Sequence, residues 1–379
     1  MTILSVNAGS SSLKFSLHQF HDHSVDSAWV SGALQGLEPG GTPSLDWSIA
    51  GQSQHETLSV KPGDGFANAF LRLRSWLLDL PGMPPLRAVA HRVVHGGADF
   101  SQATLVTPAV MQRLSQLSSL APLHQPHNLA GIEAMAQAFP DVPQIACFDT
   151  AFHHSLPPEA RTYALPAAWR QGGIRRFGFH GLNHQHVAEA APCGRLISAH
   201  LGAGCSLAAI HHGRSVDTTM GFTPLEGLVM ASRSGSVDPG LLLHLQRQGV
   251  SLEDLEQGLQ QHGGLLGLSE LSGDWRQLRQ VAADGHPGAQ LAVAVFMHRL
   301  RAGIGAMAAS LGGVDQVGLS GGIGANDPLL VSELEESMGW LGPVRWHQLA
   351  ADEEVMIARL ILQQDRLSRV DRGSGAAGG

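Results

Sequence analysis

The sequence predicts an α/β protein that contains a duplicated unit. Two segments of the same strand, Gly-rich turn and strand pattern carry this prediction: LSVNAGSSSLKFSL near residue 4 and ISAHLGAGCSLAAI near residue 197. Helical and strand periodicities alternate after each of them, which is typical of α/β domains. At 379 residues the chain is long enough for about two domains. A match this short also arises by chance between two Gly-rich hairpins, which leaves a non-duplicated α/β chain as the alternative.

In the first half, residues 2–20 predict a hairpin with a polar tip. Three segments with helical periodicity and then one short apolar strand follow, at residues 66–80, 108–120, 128–139 and 144–148. The strand ends directly before Asp149. Ligands of α/β sheets bind at the carboxyl ends of strands, so Asp149 is a candidate site residue.

The second half repeats the hairpin with strands at 195–200 and 206–211. A long helix is predicted at 289–311 and a strand at 316–319, before the Gly-rich turn 320–324. Asp327 and Pro328 then have the positions of an N-cap and a first helical residue. A Gly-rich turn followed by a helix N-terminus is suited to binding an anion.

The composition restricts the classes of partner. Lys and Arg number 24 against 32 Asp and Glu, so we expect neither nucleic acid nor an anionic membrane as a partner. The three cysteines have no CxxC spacing, and no leader or membrane span is expected, which together predict a cytoplasmic protein. Residues 372–379 are rich in Gly, Ser and Ala and are predicted to be a flexible tail.

Several polar residues stand in contexts that favour phosphate chemistry. The segment 7–14 offers backbone N–H groups, hydroxyls and Lys14 for phosphate oxygens, although an ordinary polar turn explains it equally well. Arg92 and Arg233 lie in Gly-rich contexts, where a guanidinium can hold a carboxylate or a phosphoryl group; the alternative for each is a surface ion pair. His180 lies in a Gly-bounded loop beside aromatic residues and could stabilise oxygen charge.

Two further patterns bear on metal binding. The cluster around His180, His184 and His186 has no carboxylate-bearing zinc pattern, so a zinc site is not predicted. Glu353 opens an acidic helix start, which the helix dipole explains by itself. Because Mg²⁺ needs only one or two protein carboxylates beside phosphate and water, Glu353 is also a candidate metal ligand.

Taken together, a series of motifs resembles the acetate kinase family, within the acetate and sugar kinase, Hsp70 and actin superfamily. In chain order they are SVNAGSSSLKFSL, HRVVHGG, LAPLHQPHN, FDTAFHHSLP, RRFGFHG, HLGAG, DTTMGFTPLEGLVMASRSGSVDPG, SGDWR, LSGGIGAN and EEVMIA. The resemblance implies two duplicated ribonuclease-H-like domains of the actin-like ATPase fold flanking a cleft, with residues 1–149 and 354–371 in the first domain and 150–353 in the second. It implies reversible phosphoryl transfer from ATP to acetate, giving acetyl phosphate and ADP, in a homodimer.

The resemblance also implies roles for individual residues. Asn7 and Glu353 would hold Mg²⁺, for which Mn²⁺ would substitute, and Asp149, His180, Arg233 and Arg92 would be catalytic. The acyl group would be bound by Arg92, Val94, Leu123, Phe179 and Pro224. The nucleotide would contact Lys14, His200, Leu201, Gly202, Ala203, Gly204, Asp274, Trp275, Arg276, Gly322, Ile323, Gly324, Ala325 and Asn326.

The sequence departs from the family pattern at two positions. Ala203 stands where the family usually has Asn, and Ala325 stands where it usually has Glu. Both are expected on the nucleotide side, which leaves the preferred phosphoryl donor open. A propionate or butyrate kinase is the alternative within the enzyme class, since one methylene changes binding by only ~1–3 kcal/mol. A slow Hsp70-like ATPase module is the alternative outside it.

Overall fold

The structure is a computed structural model that describes residues 2–9, 12–21, 24–37, 42–58, 65–122 and 124–374, with side chains except at 21, 65–69 and 364–374. The chain forms two compact units. Unit 1 comprises Met1–Ala151 and Asp352–Gly379, and unit 2 comprises Phe152–Ala351. Glu353, which was expected in the second domain, belongs to unit 1 because the helix that it begins packs on the sheet of that unit.

The elements of the described residues are as follows. The strands are β1 Thr2–Ala8, β2 Leu13–His21, β3 Ser24–Val25, β4 Val30–Gln35, β5 Ser44–Ile49, β6 Gln52–Thr57, β7 Leu86–Val93, β8 Thr104–Leu105, β9 Gln144–Phe148, β10 Arg195–Leu201, β11 Cys205–His211, β12 Arg214–Thr218, β13 Gln316–Ser320 and β14 Arg345–Gln348. The helices are α1 Gly65–Leu78, α2 Pro108–Gln116, α3 Gln125–Ala138, α4 Pro158–Arg161, α5 Ala167–Gln171, α6 Gly181–Ala190, α7 Pro239–Arg247, α8 Leu252–Gln260, α9 Gly264–Ser269, α10 Trp275–Ala283, α11 Pro287–Leu311, α12 Gly321–Gly324, α13 Pro328–Ser337 and α14 Glu353–Ser374. Short 3₁₀ turns occur at Leu117–Leu120, Phe152–Ser155 and Gly339–Leu341.

The five-stranded sheet of unit 2 repeats the order and directions of five neighbouring strands in the larger sheet of unit 1, which confirms the predicted ribonuclease-H-like duplication. Within the described residues of unit 1 the strand order is β6-β5-β4-β2-β1-β7-β9-β8, with β3 added to β2. In unit 2 the order is β12-β11-β10-β13-β14. In each sheet the central strand, β1 or β10, pairs antiparallel with the next strand of its hairpin and parallel with a later strand, β7 or β13. The α/β class follows from these sheets and the helices between their strands.

Strand alternation in β1 explains how unit 1 is layered. Leu4, Val6 and Ala8 join the apolar core that also contains Phe70 of α1 and Met135 of α3. The intervening side chains point to the opposite face, where the Ser5 hydroxyl donates to the Glu354 carbonyl and Asn7 contacts the start of α14. The sheet therefore has helices on both faces, and the second face carries polar residues.

Unit 2 is layered in the same way. On one face of β11, Ala208 and Ile210 pack with Val187 of α6. On the other face lies Leu207, close enough to α11 that a Cβ added at Gly303 would meet its Cδ1 at 2.8 Å. By length and composition α11 could cross a membrane, but its apolar residues include a buried set that packs as a core helix: Ala289, Ala292, Phe296, Met297, Leu300, Ile304, Met307 and Ala308.

Several helix ends differ from the prediction: α1 ends at Leu78 and not at 80, α2 ends at Gln116 before a 3₁₀ turn, and α11 begins at Pro287 and not at 289. Two further differences have a local explanation. Helix α3 begins at Gln125 and not at 128, because Pro126 lies in the first turn, where its missing N–H is not needed. Helix α14 continues through residues 372–374, where a flexible tail was predicted, because an existing helix gains a hydrogen bond with each added residue. Residues 375–379 lie outside the described residues.

Candidate active site

Unit 1 contains a half-buried cluster centred on Arg92, at the end of β7. The Arg92 Nη2 and Nε atoms donate to the Asp149 carboxylate, with Nη2 2.7 Å from Oδ2. Its Nη1 lies 3.0 Å from Glu353 Oε2 and donates to Asn7 Oδ1 at 3.2 Å. Asn7 Nδ2 in turn donates to Glu353 Oε2 at 3.1 Å and to Glu354 Oε1 at 3.3 Å. The structure thus brings together four residues that the sequence proposed for the site: Asn7, Arg92, Asp149 and Glu353.

Negative charge is in excess in this cluster. Asp149, Glu353 and Glu354 contribute three carboxylates against the single guanidinium of Arg92. Burial by itself lowers the pKa of Arg92, but Asp149 and Glu353 outweigh it and hold that pKa above its ordinary value. Burial and the charge of Glu353 raise the pKa of Glu354. A cation beside these carboxylates would offset the excess charge.

The other predicted residues of unit 1 lie near this cluster or outside the described part. Lys14 is the cross-strand partner of Asn7 and has an exposed side chain. Its positive charge acts on Glu354 and opposes part of the rise in the pKa of that carboxyl group. Val94 follows β7, and its backbone N–H donates to Asn128 Oδ1. Leu123 lies outside the described residues.

Unit 2 contains a cavity of about 430 Å³ at the carboxyl end of β10. This volume is within the ~300–1,000 Å³ of small-molecule pockets. Eight predicted nucleotide residues line it: Gly202, Ala203, Asp274, Trp275, Arg276, Gly322, Ile323 and Asn326. The other five predicted nucleotide residues of unit 2, at the end of β10 and around α12, do not line the cavity: His200, Leu201, Gly204, Gly324 and Ala325. Of the two departures from the family pattern, only Ala203 therefore faces this space.

The cavity wall also contains side chains that were not predicted from the sequence. Arg279, Asp327 and Leu329 line it. Asp327 was predicted only as an N-cap, and its Oδ1 does accept from the backbone N–H groups of Leu329 and Leu330. Its Oδ2 accepts from Trp275 Nε1 at 2.7 Å, so the cap also fixes the indole. Arg279 could have been predicted from its i, i+3 spacing to Arg276, because residues at this spacing lie on the same face of a helix.

His180 and Arg233 converge beside Gly204. A Cβ added at Gly204 would lie 3.2 Å from His180 Nε2, a tight contact, and 3.8 Å from Arg233 Nη1, so both side chains lie close to this glycine. Arg233 Nη1 donates to the carbonyl of Pro224 at 3.2 Å. In the part of the chain that the structure describes, no carboxylate is within ion-pair distance of Arg233, and burial lowers the pKa of its guanidinium. This half-buried cation has no carboxylate counter-charge among the described residues, whereas Arg92 pairs with Asp149 and Glu353.

The predicted wall residues of unit 2 are held by a second set of contacts. Phe179 is buried, and its carbonyl accepts from His153 Nε2 at 3.0 Å. The segment that carries Pro224 is held by Arg176, whose Nη2 lies 2.7 Å from Glu226 Oε1 and whose Nη1 donates to three carbonyls of residues 218–220.

The fold and these two groups of residues define a class. Comparison with solved structures confirms the actin-like ATPase fold. A propionate kinase from Francisella tularensis is 31% identical, with a TM-score of 0.86 over 95% of this chain and 98% of that chain. An acetate kinase from Porphyromonas gingivalis is 30% identical, with a TM-score of 0.81 over 94% of this chain and 98% of that chain. The class is that of kinases built on this fold.

The family is shown by sequence. The model of the acetokinase family matches residues 2–364. Proteins named acetate kinase are similar to this chain at 46% identity in Synechococcus sp., over 90% of this chain and 88% of that protein, and at 47% in Deinococcus radiodurans, over 90% and 87%. The chain belongs to the acetokinase family, as the motifs predicted.

Proposed function

We propose that this protein catalyses reversible, Mg²⁺-dependent phosphoryl transfer from ATP to acetate, giving ADP and acetyl phosphate. The observation that carries the proposal is the pairing of His180 with Arg233 beside Gly204. A half-buried guanidinium without a carboxylate partner is stabilised by an anionic ligand. The phosphoryl group in transfer is such a ligand, and catalysis of this transfer depends mainly on positioned positive groups.

We assign the nucleotide to the cavity of unit 2. The glycines at 202 and 322 allow close approach of a ligand to the backbone, while Trp275 and Ile323 offer apolar surface. Arg276 and Arg279 add positive charge. This combination of apolar surface and a few charged groups suits a base, a ribose and phosphates.

We assign the carboxyl group of the substrate to Arg92. Its N–H groups are largely engaged by Asp149, Glu353 and Asn7. A substrate carboxylate that replaced Glu353 at Nη1 would leave the net charge around the guanidinium unchanged. Asp149, buried and held by Arg92, would orient the guanidinium in this exchange.

We propose Asn7 and Glu353 as the ligands of Mg²⁺. No three His, Cys, Asp or Glu side chains form a metal-binding group among the described residues, so the set is partial. Mg²⁺ fits a partial set, because it keeps water and phosphate oxygens beside one or two carboxylates, and the excess negative charge of the cluster favours it. When bound, the ion would neutralise charge on the phosphates; Mn²⁺ would substitute.

Propionate is the second candidate substrate. The similarity to the solved propionate kinase favours it, and Val94, Phe179 and Pro224 are each proposed to contact the acyl group. We expect short-chain carboxylates to differ in rate rather than to be excluded. We further propose a cytoplasmic homodimer that binds neither nucleic acid nor membrane.

The proposal is tested by trapping acyl phosphate with hydroxylamine. We expect hydroxamate to form only when ATP, Mg²⁺ and a carboxylate are all present, with acetate, propionate and butyrate compared at equal concentration. Arg233→Met, which keeps the side-chain volume and removes the charge, should abolish most of the signal. ATP hydrolysis without hydroxamate would overturn the proposal, and multi-angle light scattering tests the dimer.

A further inference from the structure

A chain of buried hydrogen bonds runs from His180 into the core of unit 2. His180 Nδ1 lies 2.9 Å from Ser206 Oγ, and Ser206 Oγ lies 2.8 Å from His184 Nε2. His184 Nδ1 lies 2.8 Å from Ser198 Oγ. Ser198, Ser206 and His184 are all 0% exposed. The sequence alone indicated no role for His184, since its spacing to His180 and His186 does not fit a zinc site.

The fold places these groups together for identifiable reasons. His180 precedes α6 in a left-handed conformation, with φ 57°, and its carbonyl accepts from the backbone N–H of His184. The i, i+4 spacing puts both imidazoles over the same turn of the helix. Ser198 of β10 and Ser206 of β11 lie on the face of the sheet that α6 covers, in register with Ala208 and His200 respectively.

The direction of the hydrogen bonds can be worked out from the protons. Burial lowers the pKa of His184 well below its ordinary value, so His184 is neutral and carries one ring proton. If that proton were on Nδ1, it would be donated to Ser198, and the Ser198 hydroxyl proton would have no acceptor among the described residues. A buried hydroxyl proton without an acceptor is unfavourable. If the proton is on Nε2, Ser198 donates to His184, His184 donates to Ser206, and Ser206 donates to His180 Nδ1.

We propose that Ser206 and His184 are positioning residues that fix His180 as the neutral tautomer with its proton on Nε2. In this arrangement both serine hydroxyl protons and the ring proton of His184 have an acceptor. The Cε1 and Nε2 atoms of His180 are the ones nearest to Gly204, and Arg233 Nη1 lies beside the same glycine. His180 then adds a hydrogen-bond donor beside the Arg233 charge without adding a second charge. This inference rests on the proposed function for its catalytic consequence only.

The tautomer is tested directly by long-range ¹H–¹⁵N correlation spectra of protein labelled with ¹⁵N-histidine. The signals of His180 are assigned by their loss in His180→Gln. We expect Nε2 protonated and Nδ1 unprotonated in the wild type, and a mixture of tautomers in Ser206→Ala. A wild-type His180 protonated on Nδ1, or an unchanged tautomer in Ser206→Ala, would overturn the inference. This measurement needs no activity, so it remains decisive if acetate is not the substrate.

The kinetic consequence is tested with a matched control. Ser215→Ala removes a buried serine bond of 2.8 Å to His153 in the same unit, but none to His180. We expect Ser206→Ala to lower kcat about tenfold or more with KM for ATP and acetate nearly unchanged, since His180 acts in the transition state. Ser215→Ala should have a similar thermal midpoint and a near-wild-type kcat, and Ser206→Thr, which keeps the hydroxyl, should recover kcat. Equal kcat in Ser206→Ala and Ser215→Ala would show a purely structural role and refute the positioning role.

Discussion

Replacing Arg233 should reduce activity without reducing stability. In Arg233→Met the charge is lost while the aliphatic volume is kept. We expect kcat to fall by about 10²–10³, the effect of removing one positioned donor to a transition-state oxygen, equivalent to ~2.7–4 kcal/mol. Because Arg233 has no carboxylate partner among the described residues, no buried anion is left unpaired by the change. The thermal midpoint should therefore be unchanged or higher.

Arg176→Met is the matched control for this prediction. Arg176 is also a half-buried arginine of unit 2, with a 17% exposed side chain, but it pairs with Glu226 at 2.7 Å. Its removal leaves Glu226 Oε1 and the three carbonyls of residues 218–220 without this donor, so the thermal midpoint should fall clearly. Midpoints are compared because a protein with two units need not unfold in one step. If Arg233→Met lost stability like Arg176→Met, or kept wild-type kcat, Arg233 would be a structural residue and the reasoning would be refuted.

Four further predictions concern the nucleotide, the metal, the acyl group and pH. Ala203→Asn should lower KM for ATP by up to about tenfold, because a cavity hydrogen bond contributes ~0.5–1.5 kcal/mol, whereas Ala325→Glu, which is outside the cavity, should change it less. Glu353→Gln should raise the Mg²⁺ concentration for half-maximal activity by about tenfold or more, or ~1.4 kcal/mol; an unchanged Mg²⁺ titration would exclude it as a ligand. Val94→Ala should improve kcat/KM for butyrate relative to acetate by roughly tenfold, and an unchanged ratio would place Val94 outside the pocket. Burial lowers the pKa of His153 from 6.5 to about 4. Between these two pH values the unfolded chain binds a proton at His153 and the folded chain does not. The contribution of the neutral ring to folding stability is therefore complete above pH 6.5, and roughly 3 kcal/mol of it is lost as the pH falls toward 4. The thermal midpoint of His153→Gln should accordingly depend less on pH over this range than that of the wild type.

The fold was predictable because its signals are local and repeated. The hairpins, the strand before Asp149 and the Asp327 cap each depend on neighbouring residues, and the structure has all of them. The strands β4, β5 and β6 were not predicted, since their pairing depends on contacts with β2 and with one another. Helix ends were displaced where a proline or an established helix decided the boundary.

The candidate site was predictable as a set of residues but not as a set of contacts. Motifs identified Arg92 and Arg233 alike, yet only the structure reveals that Arg92 pairs with two carboxylates and that Arg233 has none within ion-pair distance in the described part of the chain. The hydrogen bonds of His184 with Ser198 and Ser206 were not predicted, because they join residues of two separate strands to one helix turn. Spacing along the chain indicates which residues share an element, and packing between elements decides the charge and proton state of each.

The most direct test of the proposed function is ³¹P NMR of the wild-type protein with ATP, Mg²⁺ and acetate. We predict that the acetyl phosphate and ADP signals appear in equal amounts, that neither appears without acetate, and that adding ADP to acetyl phosphate regenerates ATP. Release of ADP and inorganic phosphate at the same rate with and without a carboxylate would contradict the account and indicate an ATPase module.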